Sequence, residues 1–171
     1  MPNVIIINQD YYEAISLKNV TNYVKRLGIF GGYALDPSHA FDQMILVKRK
    51  FHKTNGIQLK HFLISFSNSE MYHLDFDDIL RIGFQVGVLF SDYQMVYGIH
   101  YDTDHTHLHI AMNTVSFVDG HKYSDGLSGF WKLKKWLQQM FPRSFVNIFH
   151  SIPNSVNEFT FTEEDYLIQI G

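Results

Sequence analysis

Apolar and polar residues alternate along this chain with two periods, one of strands and one of helices. Val4-Ile-Ile-Ile7 is a short continuous apolar run and predicts a buried strand. Leu17, Val20, Val24 and Leu27 recur at helical spacing, with Ser16 as a predicted N-cap and Gly28 as the stop. Gly28, Gly31, Gly32 and Pro37 predict an irregular connection, followed by a helix from about Ala40 to Lys53 and a turn at Asn55-Gly56. From Gln58 to Ser67 the period is two: Lys60, Phe62, Ile64 and Phe66 fall on one face, and Leu59, His61, Leu63 and Ser65 on the other. Asp75 opens an apolar helix reaching Phe90, with Asp77 and Asp78 where the helix dipole favours acids. A last helix carries Trp131, Leu133, Trp136, Leu137 and Met140 before Pro142.

Between these two helices lies a segment with its own chemistry. Gln94 to Tyr101 reads as a strand, Asp102-Thr-Asp104 as a turn, and His105 to Asn113 as a second strand of a hairpin. On that second strand His105, His107, His109, Ala111 and Asn113 share one face, while Thr106, Leu108, Ile110 and Met112 share the other. Pairing Tyr101 with Thr106 sets His100 opposite His107 and diagonal to His109. Opposed residues have Cβ atoms about 4.5–5.5 Å apart and diagonal ones about 7–8 Å, so His100, His107 and His109 could converge on one ion. Three neutral imidazoles suit a divalent metal and leave positions open for substrate, as in catalytic sites. A lone strand histidine is usually a surface or hydrogen-bonded residue. Three in alternation with a fourth across a hairpin are hard to explain by packing. His105, nearest the turn, is expected to support the ligands or face a substrate.

The predicted order β-α-α-β-α-β-β-α implies an α+β domain: a single antiparallel sheet with helices packed mainly on one face and the histidines on the other. Residues 1–143 carry this pattern. Residues 144–171 read as an acidic tail or an extension of the same domain, with possible short strands around Phe159 and Leu167. The chain contains no cysteine, which removes disulfides and thiolate metal sites and fits a cytoplasmic location. No apolar run is long enough to span a membrane, and the N-terminus lacks a signal-peptide pattern, so no membrane partner is expected. The formal net charge of −3 counts against a nonspecific nucleic-acid binder. The charge is uneven, however. Every Lys and Arg lies at or before Arg143, with clusters at Lys25-Arg26, at Lys48-Arg49-Lys50 with Lys53 and Lys60, and at Lys132, Lys134 and Lys135. Such runs are often solvated helix faces, but three of them near a metal site could track phosphates.

The segment His100-x-Asp-Thr-Asp-x-x-His107-x-His109-Ile-Ala-x-Asn113 closely resembles the third motif of mobilisation relaxases, DNA-nicking members of the histidine–hydrophobic–histidine (HUH) endonuclease superfamily. His61-Phe-Leu-Ile-Ser65-Phe66 resembles their second motif, Tyr23 sits where they carry a nucleophilic tyrosine on an early helix, and Gly120-His-Lys122 resembles the turn after the third motif. The resemblance runs from about Val4 to Pro142. It implies an HUH nuclease fold and site- and strand-specific nicking of single-stranded or supercoiled DNA at a transfer origin, with accessory DNA-binding proteins as possible partners. It also implies one divalent ion on His100, His107 and His109 (Mn or Mg, with Zn, Ni or Co as alternatives) and attack by Tyr23 to give a 5′-phosphotyrosyl intermediate. Asp102 is expected to act as a base or to orient a ligand histidine. Ser65, His105, Lys25 and Lys122 are expected to contact DNA.

Three other readings compete. A rolling-circle replication initiator often has two tyrosines one helical turn apart, and no tyrosine lies three or four residues from Tyr23. A cupin-type oxygenase would place a glutamate four or five residues beyond His-x-His, where this chain has Asn113 and Thr114. A catalytically silent, metal-retaining accessory protein would keep the same ligands and is separated only by a nicking assay. Members of the family are expected to continue into a long C-terminal region and to be more basic than this chain.

Overall fold

A computed structural model of the chain describes residues 2–7, 9–151 and, as backbone, 166–169. Seven strands form one sheet: β1 (Asn3–Ile6), β2 (Phe30–Tyr33), β3 (Leu59–Phe66), β4 (Met95–His100), β5 (Thr106–Asn113), β6 (Asn147–Ser151) and β7 (Tyr166–Gln169). Their order across the sheet is β2-β4-β5-β3-β1-β6-β7. Every neighbouring pair is antiparallel except β1 with β6, which run parallel. The helices are α1 (Ala14–Val24), α2 (Ala40–Lys50), the single turn α3 (Asn68–Met71), α4 (Phe76–Leu89) and α5 (Ser128–Met140).

The α+β class and the mostly antiparallel sheet are as expected, and so is the hairpin register: His100 lies directly opposite His107. The strand alternation sends Phe62, Ile64, Phe66, Met95, Tyr97, Ile99, Leu108, Ile110 and Met112 to one face, where α4 and α5 complete the main core. Asp75 starts α4 through a reciprocal capping box with Asp78. The opposite face is less open than the sequence implied. α1 and α2 pack there through Leu17, Val20, Val24, Ala40 and Met44 onto Val96 and Ala111, forming a second apolar cluster. The histidines therefore sit beside helices, at the end of the sheet that α1 reaches.

Other elements differ from the pattern reading in instructive ways. α1 begins at Ala14 with Glu13 at the N-cap position and ends at Val24, a turn earlier than Leu27. The glycine-rich stretch after it contains the edge strand β2, paired with β4 through its backbone. β6 joins the sheet through β1, so chain beyond residue 143 contributes to it. The strand expected near Leu167 is β7, whereas that near Phe159 lies outside the described residues.

Two buried polar side chains tie α2 to the sheet. Asn113 Nδ2 donates to the Met44 carbonyl and to Gln94 Oε1, at 3.3 and 3.1 Å. Lys48, 1% exposed, donates through Nζ to the Gln58 carbonyl at 2.8 Å and faces Thr114 Oγ1 at 3.4 Å. Burial, and then the charge of Lys122, push the Lys48 ammonium down to about 7. Because this base loses its proton more readily folded than unfolded, the unfolded chain binds more protons between pH 7 and about 10.4. Stability should therefore rise with pH from 7 to 9, by on the order of 1 kcal/mol per unit. Urea unfolding at the two pH values should show this rise in the wild type, and Lys48→Met should flatten it.

Candidate nuclease site

The site forms where the end of α1 meets the turn end of the β4–β5 hairpin. Residues of β3, β4 and β5 that share the α1-facing side place Ser65 beside His107 and Leu63 beside His109, with His100 on the far side of His107. The rings of His100 and His109 are 4.1 Å apart, and those of His107 and His109 are 5.9 Å apart. Tyr23, from the last turn of α1, stands edge-on over this group, 4.8 Å from the His100 ring and 5.4 Å from that of His109.

Gly98 makes that approach possible. A Cβ at this position would lie 1.9 Å from the Val24 carbonyl oxygen, far inside contact distance. With hydrogen alone there, the end of α1 settles onto β4. His100 Nε2 then lies 3.1 and 3.2 Å from the carbonyl oxygens of Tyr23 and Val24. Carbonyls only accept, so Nε2 carries the proton and Nδ1 keeps its lone pair. That Nδ1 is buried and finds no hydrogen-bond partner among the described residues, and the same holds for His107 Nε2.

His109 is held from behind. Its Nδ1 is 3.1 Å from His61 Nε2, and His61 Nδ1 is 3.3 Å from the Tyr11 hydroxyl. His61 and Tyr11 are both 2% exposed. Burial, reinforced by the neighbouring imidazoles, pushes His61 down to about 3 and His109 well below the usual histidine value. Burial and then the charges of His105 and His100 take His107 down to about 4, and burial with Arg26 lowers His100. All four are therefore neutral at pH 7, the form in which imidazole binds metals.

Two orphaned buried nitrogens, in a set of neutral imidazoles, fit the donor chemistry of a divalent ion. Among the described residues, however, no three His, Asp or Glu side chains have their ligating atoms gathered around one point. The rings are grouped side by side rather than arranged as a finished coordination shell.

Charge at the site comes from Arg26, one turn beyond Tyr23. Its guanidinium is 5.4 Å from the centre of the Tyr23 ring and forms an ion pair with Asp102, at 2.8 and 2.9 Å to the two carboxylate oxygens. Partial burial raises the Asp102 carboxyl, but the Arg26 bond, a backbone bond and the nearby positive charge outweigh it, leaving the group below its usual value. Burial raises the Tyr23 hydroxyl above its ordinary value, partly offset by Arg26.

The remaining expected residues are more dispersed. Ser65 is buried in register with His107, and His105 is half-buried at the end of the hairpin turn. Lys25 points away from the histidines, donating to the Pro37 carbonyl at 3.0 Å and lying over the Phe30 ring. Lys122 donates to the Asn55 carbonyl, on the segment after β5. His61 and Arg26 were not singled out by the sequence, although both left a signal. His61 shares a strand face with Ser65, and Arg26 lies one helical turn from Tyr23 in the Lys25-Arg26 pair.

A family model described as relaxase, MobA/VirD2-like, nuclease domain, matches residues 16–143, which include Tyr23 and the whole histidine hairpin. The chain belongs to this relaxase family. A search of curated protein sequences gives no match. Among solved structures, the relaxase is similar to the MobM relaxase domain (MOBV; Mob_Pre) bound to 26-nucleotide pMV158 oriT DNA. The TM-score is 0.54 at 12% identity, and the match covers 96% of this chain and 97% of that one, which establishes a shared fold. No helix among the relaxase's described residues is long and apolar enough to cross a membrane.

Proposed function

We propose that this relaxase nicks one DNA strand at a transfer origin by metal-dependent transesterification, with Tyr23 as nucleophile. The observation that carries the reading is the position of the Tyr23 ring, edge-on over His100 and His109 within a matched nuclease domain. The solved structure sharing the fold is itself bound to oriT DNA, which supports DNA as the substrate class.

In this reading His100, through Nδ1, and His107, through Nε2, are ligands together with His109. A bound divalent ion would supply electrostatic stabilisation for charge developing on the phosphate oxygens. Each residue then has a defined task. The carbonyls of Tyr23 and Val24 keep the His100 proton on Nε2. His61 accepts at Nε2 from His109 Nδ1–H and donates its own Nδ1–H to the Tyr11 hydroxyl, so that the tautomers along the line agree. Tyr23 Oη forms a bond to the scissile phosphorus as the bond to the 3′-oxygen breaks, leaving a 5′-phosphotyrosine and a 3′-hydroxyl. The phosphodiester energy is retained, so the strand can be rejoined. The phenol proton leaves to solvent and the departing 3′-oxygen takes one up from it, while Arg26, over the Tyr23 ring, supplies a positive charge that favours the phenolate. The two contacts of Asp102 with Arg26 support a holding role for this carboxylate rather than service as the base. Ser65 and His105, flanking His107 on β3 and in the hairpin turn, would meet the DNA near the nick.

Nicking of supercoiled plasmid carrying the transfer origin of the encoding element tests the reading. Open circles should form with Mn or Mg, disappear with EDTA and be lost in His107→Ala; nicking that persists with EDTA would reject metal dependence. An absence of nicking beside intact DNA and metal binding would favour a silent accessory protein. A second expectation concerns the support of His109. His61→Phe should weaken Mn binding by calorimetry about 10–100-fold, the usual effect of removing a ligand's hydrogen-bond partner. Unchanged affinity would show that His61 only packs.

A further inference from the structure

A second cluster of cationic and hydrogen-bonding groups lies at the opposite end of β5 from His107. His52, Lys53, Asn55, His121, Lys122 and Ser124 line an open cavity of about 500 Å³. Its lining includes two lysines, two imidazoles, an amide and a hydroxyl, and no carboxylate. From His107 along β5 to Thr114 just beyond it, seven residue steps span about 23 Å, so this cavity is separate from the nuclease site.

Both walls are built on buried anchors. The wall from 53 to 58 is held by Gln58, whose Nε2 donates to the carbonyls of Thr54 and Gly56 at 2.9 and 3.0 Å. It is held also by Lys48 Nζ on the Gln58 carbonyl and by Thr114 Oγ1 on that of Ile57, at 2.8 and 2.6 Å. The facing wall pairs Lys122 with Val115 and is tied by the Tyr123 N–H to the Thr114 carbonyl at 2.8 Å. Gly56, at φ +83°, lets Lys122 reach the Asn55 carbonyl, because a Cβ there would lie 2.8 Å from Nζ.

His52 follows α2 with φ +55°, a conformation that glycine adopts without strain. A histidine tolerated there keeps an imidazole at the cavity rim. Asp119, on the neighbouring turn, is engaged within it, accepting from the His121 N–H at 2.9 Å. The cavity thus gathers donors and positive charge on a fixed frame, with no acid in its lining to neutralise them.

We propose that this cavity binds a backbone phosphate of the DNA strand several nucleotides from the nick, fixing the path of the strand past α2. The DNA part of this inference rests on the nicking reading above, whereas the anion site itself does not. Arg and Lys contacts to phosphate position a strand without reading its sequence, which suits a cavity offering only charge and simple donors.

Two probes test it: inorganic phosphate and the single strand dT30. In the wild-type protein, imidazole NMR signals of His52 and His121 should shift with either probe. In the Lys53→Ala/Lys122→Ala variant, dT30 affinity by fluorescence anisotropy should fall, and its salt slope should decrease by about 0.7, the value of one phosphate contact on a single strand. Lys53→Ala alone, which leaves the Lys122 anchor in place, should weaken dT30 binding in the same direction. If dT30 binds but leaves His52 and His121 unmoved and the slope unchanged, the cavity proposal is overturned while the nicking reading stands. If phosphate shifts the two histidines but dT30 binds nowhere, the DNA reading itself fails with it.

Discussion

Tyr23→Phe is expected to abolish the covalent DNA adduct completely while leaving the fold and DNA affinity close to wild type. The change removes one oxygen and keeps the ring that packs edge-on against His100 and His109. Its cost in stability should stay within about 1 kcal/mol, the ordinary range for a change that opens no large cavity and strands no charge. The reaction has no comparable substitute at this position. Tyr11 points its hydroxyl at His61 from behind the cluster, and burial, with the charge of Tyr23, raises that hydroxyl far above the normal range for tyrosine. Tyr12 is 61% exposed, with its hydroxyl 3.3 Å from Asp10, and Tyr33 donates to the Ser91 carbonyl on the edge strand. Denaturing gels of oligonucleotide adducts compare wild type and variant directly. A persisting adduct would move the nucleophile to another residue.

The second large effect is expected from a residue with no side chain. Gly98→Ala places a methyl group 1.9 Å from the Val24 carbonyl oxygen, and this obstacle is backbone rather than a flexible side-chain tip. α1 must back away from β4 by about 1 Å or more, at a cost of about 1–3 kcal/mol for overpacking. That movement acts on the site through two links at once. It loosens the Tyr23 and Val24 carbonyls from His100 Nε2 and carries Tyr23 away from the histidines. A displacement of this size at a reacting group lowers rates about 100-fold. Adduct formation should therefore fall by about that factor in a protein that still folds, as judged by circular dichroism and urea unfolding. Wild-type rates in Gly98→Ala would mean that the approach of α1 is not what positions Tyr23.

Much of this geometry was legible because strand alternation is a local rule. The hairpin register followed from one assumption, Tyr101 beside Thr106, and it correctly set His100 opposite His107. The β3 alternation likewise put His61 and Ser65 on one shared face, which the pairing with β5 makes the histidine side. What sequence reading could not supply was long-range. β2 was hidden because Gly31 and Gly32 carry no side-chain pattern, and its ladder with β4 rests on backbone groups that leave no mark in the sequence. β6 was hidden because its partner, β1, lies at the other end of the chain and runs parallel to it.

The packing of α1 and α2 on the histidine side escaped for a related reason. An amphipathic helix declares that it has a buried face, but not which side of the sheet receives it. Arg26 and His61 acquire meaning only when that choice is made: α1 over the hairpin brings Arg26 to Asp102, and the β3–β5 pairing brings His61 to His109. Asp102 shows the converse. Its place in the motif pointed to the histidines, whereas the fold gives its carboxylate to an arginine from another element.

The most direct test of the central claim is to identify the residue that carries DNA after nicking. The wild-type relaxase would be incubated with Mn and an oligonucleotide spanning the transfer origin of its element, then digested with protease and nuclease and analysed by mass spectrometry. The account predicts a nucleotide on the peptide containing Tyr23, joined through the phenolic oxygen, and only when metal is present. A nucleotide on any other residue, or cleavage with no covalent intermediate, would contradict it.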